Sequence, residues 1–370
     1  MRFRAAVLDR PREALRIAEV DLASLGPDDV LIRNRASGLC HTDLEVIEGT
    51  QRRPFPIILG HEGAGVVEDV GSGVKSVRPG DHVVASWNPH CGHCFYCDDG
   101  EPVLCEPFTR HQPAGHLLDG DSRLTLGGAK LHHFGMVSSH AEYSVVPSSG
   151  AIAVPREIAF DRACLIGCGV MTGVGAAVRM AKVKRGSSVA VVGCGAVGLN
   201  AIQGARISGA ETIVAIDRDP ARLARARDFG ATQCVPSVAS PGAESAADTV
   251  RSLTAGRGAD YVFESAGSES AMQLALEITR PAGDLVILGK TQPDRMVAFR
   301  FGALAGEKRI VRSSYGGARP ARDFPWLAEL YLRGELLLDE LISMRLPLGD
   351  INAGFDAMRR NAIVRAVVEL

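Results

Sequence analysis

The sequence predicts an α/β protein of two domains, an irregular β-rich one and a doubly wound parallel sheet with helices on both faces. Three observations carry that prediction. Residues 1–150 hold short apolar runs broken by Gly and Pro, strand patterns alternate with helical ones after Gly186, and 370 residues suffice for two full cores.

In chain order, residues 3–8, 29–36, 63–70, 82–86 and 141–146 read as strands of the first domain. The stretch from Cys105 to about Phe134, rich in Gly and Asp around 118–123, reads as a long surface excursion, a lid or an interface piece. Residues 188–192 then form a buried strand, 193–198 a glycine turn and 199–208 a helix. The alternation continues with a strand at 212–217, a helix at 220–229, a strand at 261–264, a helix at 271–278 and a strand at 284–288. Residues 324–370 hold two helical patterns and a last strand at 365–370, a tail expected to return to the first domain.

A net charge of −2 with 23% charged residues excludes the basic footprint of a nucleic-acid binder and a polybasic membrane patch. The two most apolar runs, 164–178 and 189–205, are interrupted by Gly and are expected to be too short or too broken to span a bilayer. Nine cysteines and an N-terminus without a secretory pattern point to the reducing cytoplasm.

Cys91, Cys94, Cys97 and Cys105 lie within fifteen residues. That spacing lets one short loop wrap a tetrahedral ion, and four thiolates are the closed set that structural zinc prefers. Disulfides are the competing reading, and they fit a non-secretory chain poorly.

The run Gly193-Cys194-Gly195-Ala196-Val197-Gly198 follows an apolar strand, opens a helix, and precedes Asp217 by nineteen residues at the end of a second strand. This context is the dinucleotide fingerprint. Gly193 permits the tight turn, Gly195 the approach of the pyrophosphate, and Gly198 close packing of helix on strand, while the helix N-terminus offers N–H groups to phosphate. Asp217 suits the two ribose hydroxyls and repels a 2′-phosphate, which favours NAD over NADP; Arg218 beside it softens that preference. Three further potential ligands, Cys40, His61 and Cys168, sit in Gly-rich settings. Each alone has a bland explanation, a buried thiol or a satisfied imidazole, and residues this far apart in sequence leave their geometry open.

Cys40-His41-Thr42-Asp43, Gly60-His61-Glu62-Gly63-Ala64-Gly65, the four-cysteine loop, Gly167-Cys168-Gly169-Val170-Met171-Thr172-Gly173 and the glycine fingerprint occur in one order along the chain. Together they resemble the zinc-dependent medium-chain alcohol dehydrogenases, and most of all the branch containing class III alcohol (formaldehyde) dehydrogenase. The resemblance implies a GroES-like β-rich catalytic domain over 1–169 completed by 314–370, and a Rossmann NAD-binding domain over 170–313, with the active site in the cleft. It implies two zinc ions per chain, one structural and one catalytic, the latter on Cys40, His61 and Cys168 with a fourth position open. Two thiolates and a neutral imidazole leave that site formally neutral, so an alcohol entering it loses its proton near neutral pH. By the same resemblance Asp43 orients His61, Glu62 lies beside the metal, and Thr42 relays the substrate proton. His41 and Arg365 match pyrophosphate contacts, Arg222 a basic residue near the adenosine ribose, and Thr172 a hydroxyl beside the nicotinamide. A homodimer or homotetramer is expected.

The chain also departs from the family pattern. Glu45 stands where many relatives end the proton relay with His, and it either accepts a proton or faces solvent. Lys290 replaces an apolar residue near the nicotinamide, where it contacts the cofactor or an acidic substrate group, or snorkels to water. Thr50-Gln51-Arg52-Arg53 and Thr109 replace the acidic residues and the Arg with which relatives bind a glutathione adduct, so recognition of that thiol is not expected. Trp87 matches a pocket-lining aromatic, an indole that favours primary over branched alcohols, or else packs in the core. Phe134 and Met136 are expected to add apolar wall and Arg110 to sit at the mouth; Cys164, Cys194 and Cys234 are assigned to packing. The expected reaction is reversible oxidation of a primary alcohol, aromatic or allylic, to the aldehyde with NAD. The alternatives are a formaldehyde dehydrogenase using a thiol other than glutathione, and a catalytically silent NAD-binding relative.

Overall fold

Asp29–Gly38 is the strand around which the first half of the molecule is built. Gly63–Val70, Tyr143–Pro147 and Arg365–Glu369 all pair with it antiparallel. The computed structural model describes residues 1–238, 244–292 and 294–370. The chain forms two units, Met1–Cys168 with Arg319–Leu370, and Gly169–Ala318.

In the first unit, one sheet of seven strands carries Asp29–Gly38 near its centre, and a second sheet of six contains Arg2–Leu8 and Arg16–Leu22. Strand pairing positions the site. Ser37 lies opposite Gly63, and Gly38 N donates to Glu62 O at 2.9 Å, so the end of one strand and the start of the next bring Cys40 and His61 together. From the other side Ser37 pairs with Val368, and Leu39 N donates to Ala366 O at 2.9 Å, which brings Arg365 to the same point.

The expectation of a surface excursion after Cys105 holds only in part, for residues 127–130 are exposed while other portions turn inward. Within that stretch Glu106–His111 is helical, and Leu124–Leu126 pairs both with Ala129–Lys130 and with Asp21 and Leu22 of the second strand. Leu117, Leu124, Leu131 and Phe134 are buried. The buried Arg123 donates to Asp29 Oδ2 at 2.7 Å and pairs with Asp119. The Gly and Asp residues around 118–123 lead into a short hairpin that buries Leu124 and leaves Ala129–Lys130 exposed.

The reading of the apolar run after 160 is also corrected. Phe160–Met180 is a helical run long and apolar enough by length and composition to cross a membrane, and 72% of its most apolar window is buried inside the structure, as for a core helix. Its glycines do not break it, because they serve as contact points. An added Cβ on Gly173 would collide with the Val197 carbonyl, and one on Gly204 would stand 2.9 Å from Val174 Cα, so Gly173 and Gly204 let this run and helix Ala196–Ile207 touch backbone to backbone. Cys168 lies in a π-helical turn, Ile166–Val170, an irregularity that often marks functional positions.

The second unit is a six-stranded parallel sheet ordered Gln233–Pro236, Thr212–Asp217, Ser188–Val192, Ala259–Glu264, Thr279–Ile287, Arg309–Arg312. In chain order this is 3-2-1-4-5-6, with the switch in direction between Ser188–Val192 and Ala259–Glu264, the place where open α/β sheets bind ligands. The inner strands are buried on both faces, as in a sheet covered by helices. Ser245 and Ser268 cap their helices by accepting from Asp248 N at 3.1 Å and Ala271 N at 3.2 Å.

Candidate active site and metal centres

The Sγ atoms of Cys91, Cys94, Cys97 and Cys105 all lie within 4.8 Å of one another, and none of the nine cysteines is in a disulfide. A tetrahedral zinc with sulfur at about 2.3 Å sets its ligands about 3.8 Å apart, so the four thiols fit that ion. Backbone N–H groups contribute to the anionic character of the loop. Glu106 N donates to Cys94 Sγ at 3.5 Å and is the main cause drawing that thiol down to about 6. Burial pushes Cys105 up to about 12. Four thiolates this close are compatible only around a cation.

The second cluster joins Cys40, His61 and Cys168, with Glu62 beside them, again within 4.8 Å. A hydrogen bond from Cys168 pulls the Cys40 thiol well down, and the same contact pushes Cys168 up. Cys40 caps helix His41–Ile47, and Asp43 in its first turn holds the site together. Asp43 Oδ2 accepts from Cys40 N at 3.1 Å, and Oδ1 accepts from Gly60 N at 3.0 Å and faces His61 Nδ1 at 3.2 Å. That contact fixes the imidazole with Nδ1–H toward the carboxylate and Nε2 free for a metal. Glu62 is fully enclosed, and burial raises its carboxyl to about 7 against the pull of Arg365, whose guanidinium is paired with it.

Among the other expected site residues, Thr42 is half-buried in the first turn after Cys40 and His41 is exposed. Phe134 turns its ring edge to His61 at 5.5 Å. Trp87 is next to the same histidine, since a Cβ added to Gly135 would stand 3.1 Å from His61 Cβ and 3.2 Å from Trp87 Cβ. Its ring also packs on Phe108 at 6.3 Å and on the core around Val137. Met136 is a core side chain among Leu31, Leu117 and Val145, and Arg110 is exposed.

In the second unit Gly193 has φ 95°, and a Cβ on Gly198 would collide with the Gly193 carbonyl, whereas a Cβ on Gly195 would meet nothing within 4 Å. The Gly195 side of this turn is therefore open, at the N-terminus of helix Ala196–Ile207, where backbone N–H groups are unpaired within the helix and can meet an anion. Asp217, 6% exposed, accepts from Cys194 N at 2.7 Å and from Asp219 N at 2.9 Å. Arg218 and Lys290 are exposed; Arg222 is half-buried, 3.8 Å from Asp219, and Thr172 is half-buried.

Two sets of residues escaped the sequence reading. Glu264 ends a strand at the switch point and accepts from Ala266 N at 2.8 Å and Gly267 N at 2.7 Å. His140, with Ser37 and Ser139, is fully buried behind Asp43. The only sequence signal for the latter was a Ser-Ser-His run ahead of an apolar strand.

Residues 26–156 match the family described as alcohol dehydrogenase GroES-like domain, and residues 196–333 match zinc-binding dehydrogenase. The chain is 38% identical over 369 residues to alcohol dehydrogenase class-3 of Myxine glutinosa, covering 99% of this chain and 97% of that protein. The chain belongs to the zinc-containing medium-chain alcohol dehydrogenases. As a member, it is a zinc-dependent oxidoreductase acting on CH–OH groups, with NAD as the cofactor the family implies. Cys40, His61 and Cys168 are its catalytic zinc ligands, and Cys91, Cys94, Cys97 and Cys105 its structural ones. It is also 36% identical over 370 residues to S-(hydroxymethyl)glutathione dehydrogenase of Haemophilus influenzae, covering 100% of this chain and 97% of that one. Among solved structures, benzyl alcohol dehydrogenase of Acinetobacter calcoaceticus superposes with a TM-score of 0.93 at 28% identity, covering 100% of this chain and 99% of that one.

Proposed function

We propose that the enzyme oxidises primary alcohols of aromatic or allylic type to aldehydes, reversibly, with NAD rather than NADP. The observation that carries the substrate reading is Trp87 beside His61 across Gly135. An indole there leaves room for a flat CH₂OH-bearing group and crowds a carbon with two substituents. Zinc, when bound, supplies the Lewis acid that lowers the pKa of a substrate hydroxyl. The chain's own residues do the rest. Thr42, at the first turn after Cys40, takes the substrate proton and passes it outward. Asp43 holds His61 in the metal-binding tautomer, and Phe134 closes the apolar wall.

The coenzyme reading rests on Asp217, whose carboxylate is fixed by two backbone N–H groups and cannot swing aside for a 2′-phosphate. We assign Gly193, Gly195, Ala196, Val197 and Gly198 to the pyrophosphate turn. His41 and Arg365 are assigned to its outer phosphates, Arg218 and Arg222 to the adenosine side, and Thr172 and Lys290 to the nicotinamide side. The catalytic domain is proposed over 1–169 with 314–370 and the coenzyme domain over 170–313. A homodimer or homotetramer is proposed, with the sheet edge Arg309–Arg312 as one of its contacts. That strand ends its sheet and is exposed along its length, including Ile310 and Val311, an edge that calls for cover. Nine thiols without a disulfide support work in the reducing cytoplasm.

A second reading, oxidation of the formaldehyde adduct of a small thiol other than glutathione, draws on the similarity to S-(hydroxymethyl)glutathione dehydrogenase. Steady-state kinetics with benzyl, cinnamyl, linear and secondary alcohols, with NAD and NADP, separates the readings. Formaldehyde oxidation that appears only with an added thiol would favour the second.

A further inference from the structure

Behind the carboxylate that orients His61 lies a second buried imidazole. His140, Ser37, Ser139 and Asp43 are all completely enclosed. Ser139 N donates to Gly60 O at 2.9 Å, and His140 N donates to Leu59 O at 3.1 Å. These two bonds fasten the Ser-His pair to the segment between Ile57–Ile58 and Gly63–Val70 that carries His61. The contact is tight: a Cβ on Gly60, where φ is 91°, would stand 2.6 Å from both His140 N and His140 Nδ1. The ring has little freedom, with Phe355 edge-on at 5.9 Å on another side.

Within this enclosure the two ring nitrogens have different partners. Nδ1 lies 2.9 Å from Ser37 Oγ, which is in turn 2.7 Å from Ser139 Oγ. Nε2 has no hydrogen-bond partner among the described residues, and it faces Asp43 Oδ1 at 4.0 Å. Only one tautomer suits both sides. A lone pair on Nε2 would point at an anionic oxygen, whereas an Nε2–H presents its positive end to it, leaving Nδ1 to accept from the Ser37 hydroxyl. Ser37 then accepts from Ser139. The dipoles align in one direction from Ser139 through Ser37 and His140 to Asp43, and on Asp43 Oδ1 they converge with Gly60 N and His61 Nδ1.

We propose that His140 is a positioning residue for the catalytic zinc, acting through Asp43 by the electrostatic pull of an N–H that faces Oδ1 from 4.0 Å, beyond hydrogen-bond range, and favours the carboxylate orientation that His61 requires. The proposal rests on Cys40, His61 and Cys168 as the ligand set and is independent of the substrate pocket. It touches neither substrate nor cofactor; its effect is on how firmly the site keeps its metal.

The test uses the purified holoenzyme and two variants, His140→Phe, which keeps the ring volume without the N–H, and His140→Gln, whose amide nitrogen reaches the same place. Zinc release to a colorimetric chelator is followed alongside the visible absorption of protein loaded with cobalt at the catalytic set, and the structural zinc serves as an internal control of the fold. His140→Phe should release one of two zinc ions about tenfold faster, the mild end of what supporting residues usually cost, with a shifted cobalt band. His140→Gln should restore the native rate and band. Native release and an unchanged band in His140→Phe would overturn the proposal. If His140→Phe loses the structural zinc as well, the fold has failed and His140→Gln decides. Native retention then upholds the donor role, and loss of the catalytic zinc alone overturns it. Native enzyme that holds no metal at Cys40, His61 and Cys168 defeats the ligand set itself and the proposal with it, an outcome visible before any variant is made.

Discussion

Replacing Asp217 by Gly should do two separable things. On the proposed coenzyme reading, a 2′-phosphate would meet the Asp217 carboxylate, which is held by two backbone N–H groups and is 6% exposed. At an effective dielectric of about 20 and a separation of about 5 Å, each unit of phosphate charge costs about 3 kcal/mol before screening. Salt and water reduce this, so at least about 1.4 kcal/mol, or tenfold in kcat/KM, should separate NAD from NADP. Asp217→Gly removes that repulsion and leaves the exposed Arg218 to meet the phosphate, shifting preference toward NADP. It also strips Cys194 N of the acceptor it has at 2.7 Å, inside a residue 2% exposed. A buried N–H left unpaired costs about 1–3 kcal/mol, which for a domain of this size lowers Tm by roughly 2–4 °C per kcal/mol. Asp217→Asn keeps an acceptor for that N–H and should recover most of the lost Tm while still relaxing the preference. The assays are initial rates with each coenzyme and a thermal scan. Equal efficiency of the native enzyme with the two coenzymes would refute the reasoning, as would an Asp217→Gly variant that prefers NAD as strongly as the native protein.

Trp87→Ala should admit secondary alcohols. The native preference for a benzyl-type primary alcohol over its methyl-substituted secondary analogue should lie between about ten- and two-hundredfold and then collapse, with zinc content unchanged; an unaltered ratio would mean the indole only packs. Arg123→Ala should be strongly destabilising, by about 3–5 kcal/mol in a denaturant titration, because it strands the buried Asp29 without its cation. An effect within about 0.5 kcal/mol would restore the surface-loop reading of that segment.

What the sequence disclosed depended on how local the information was. The four-cysteine loop and the glycine turn are contained in a few residues each, so their spacing sufficed. Cys40, His61 and Cys168 are not local. Pairing of Ser37 with Gly63 unites the first two, and a π-helical turn presents the third. No periodicity reports either feature, and only the family resemblance joined them. Around 118–123 the turn residues masked three short strands and the buried Arg123, since turn chemistry looks the same on a lid as between strands that fold inward. After residue 160, glycine was read as a breaker where it serves as a helix contact. His140 was invisible because Ser37 and Asp43, which give it meaning, lie about a hundred residues away.

Metal stoichiometry tests the central claim most directly, because seven residues are assigned to two ions. Elemental analysis of the purified native enzyme should find two zinc per chain. Cys168→Ser should keep one, stay folded and lose turnover, while Cys97→Ser should fail to fold or assemble. One zinc per chain in fully active protein would contradict the account.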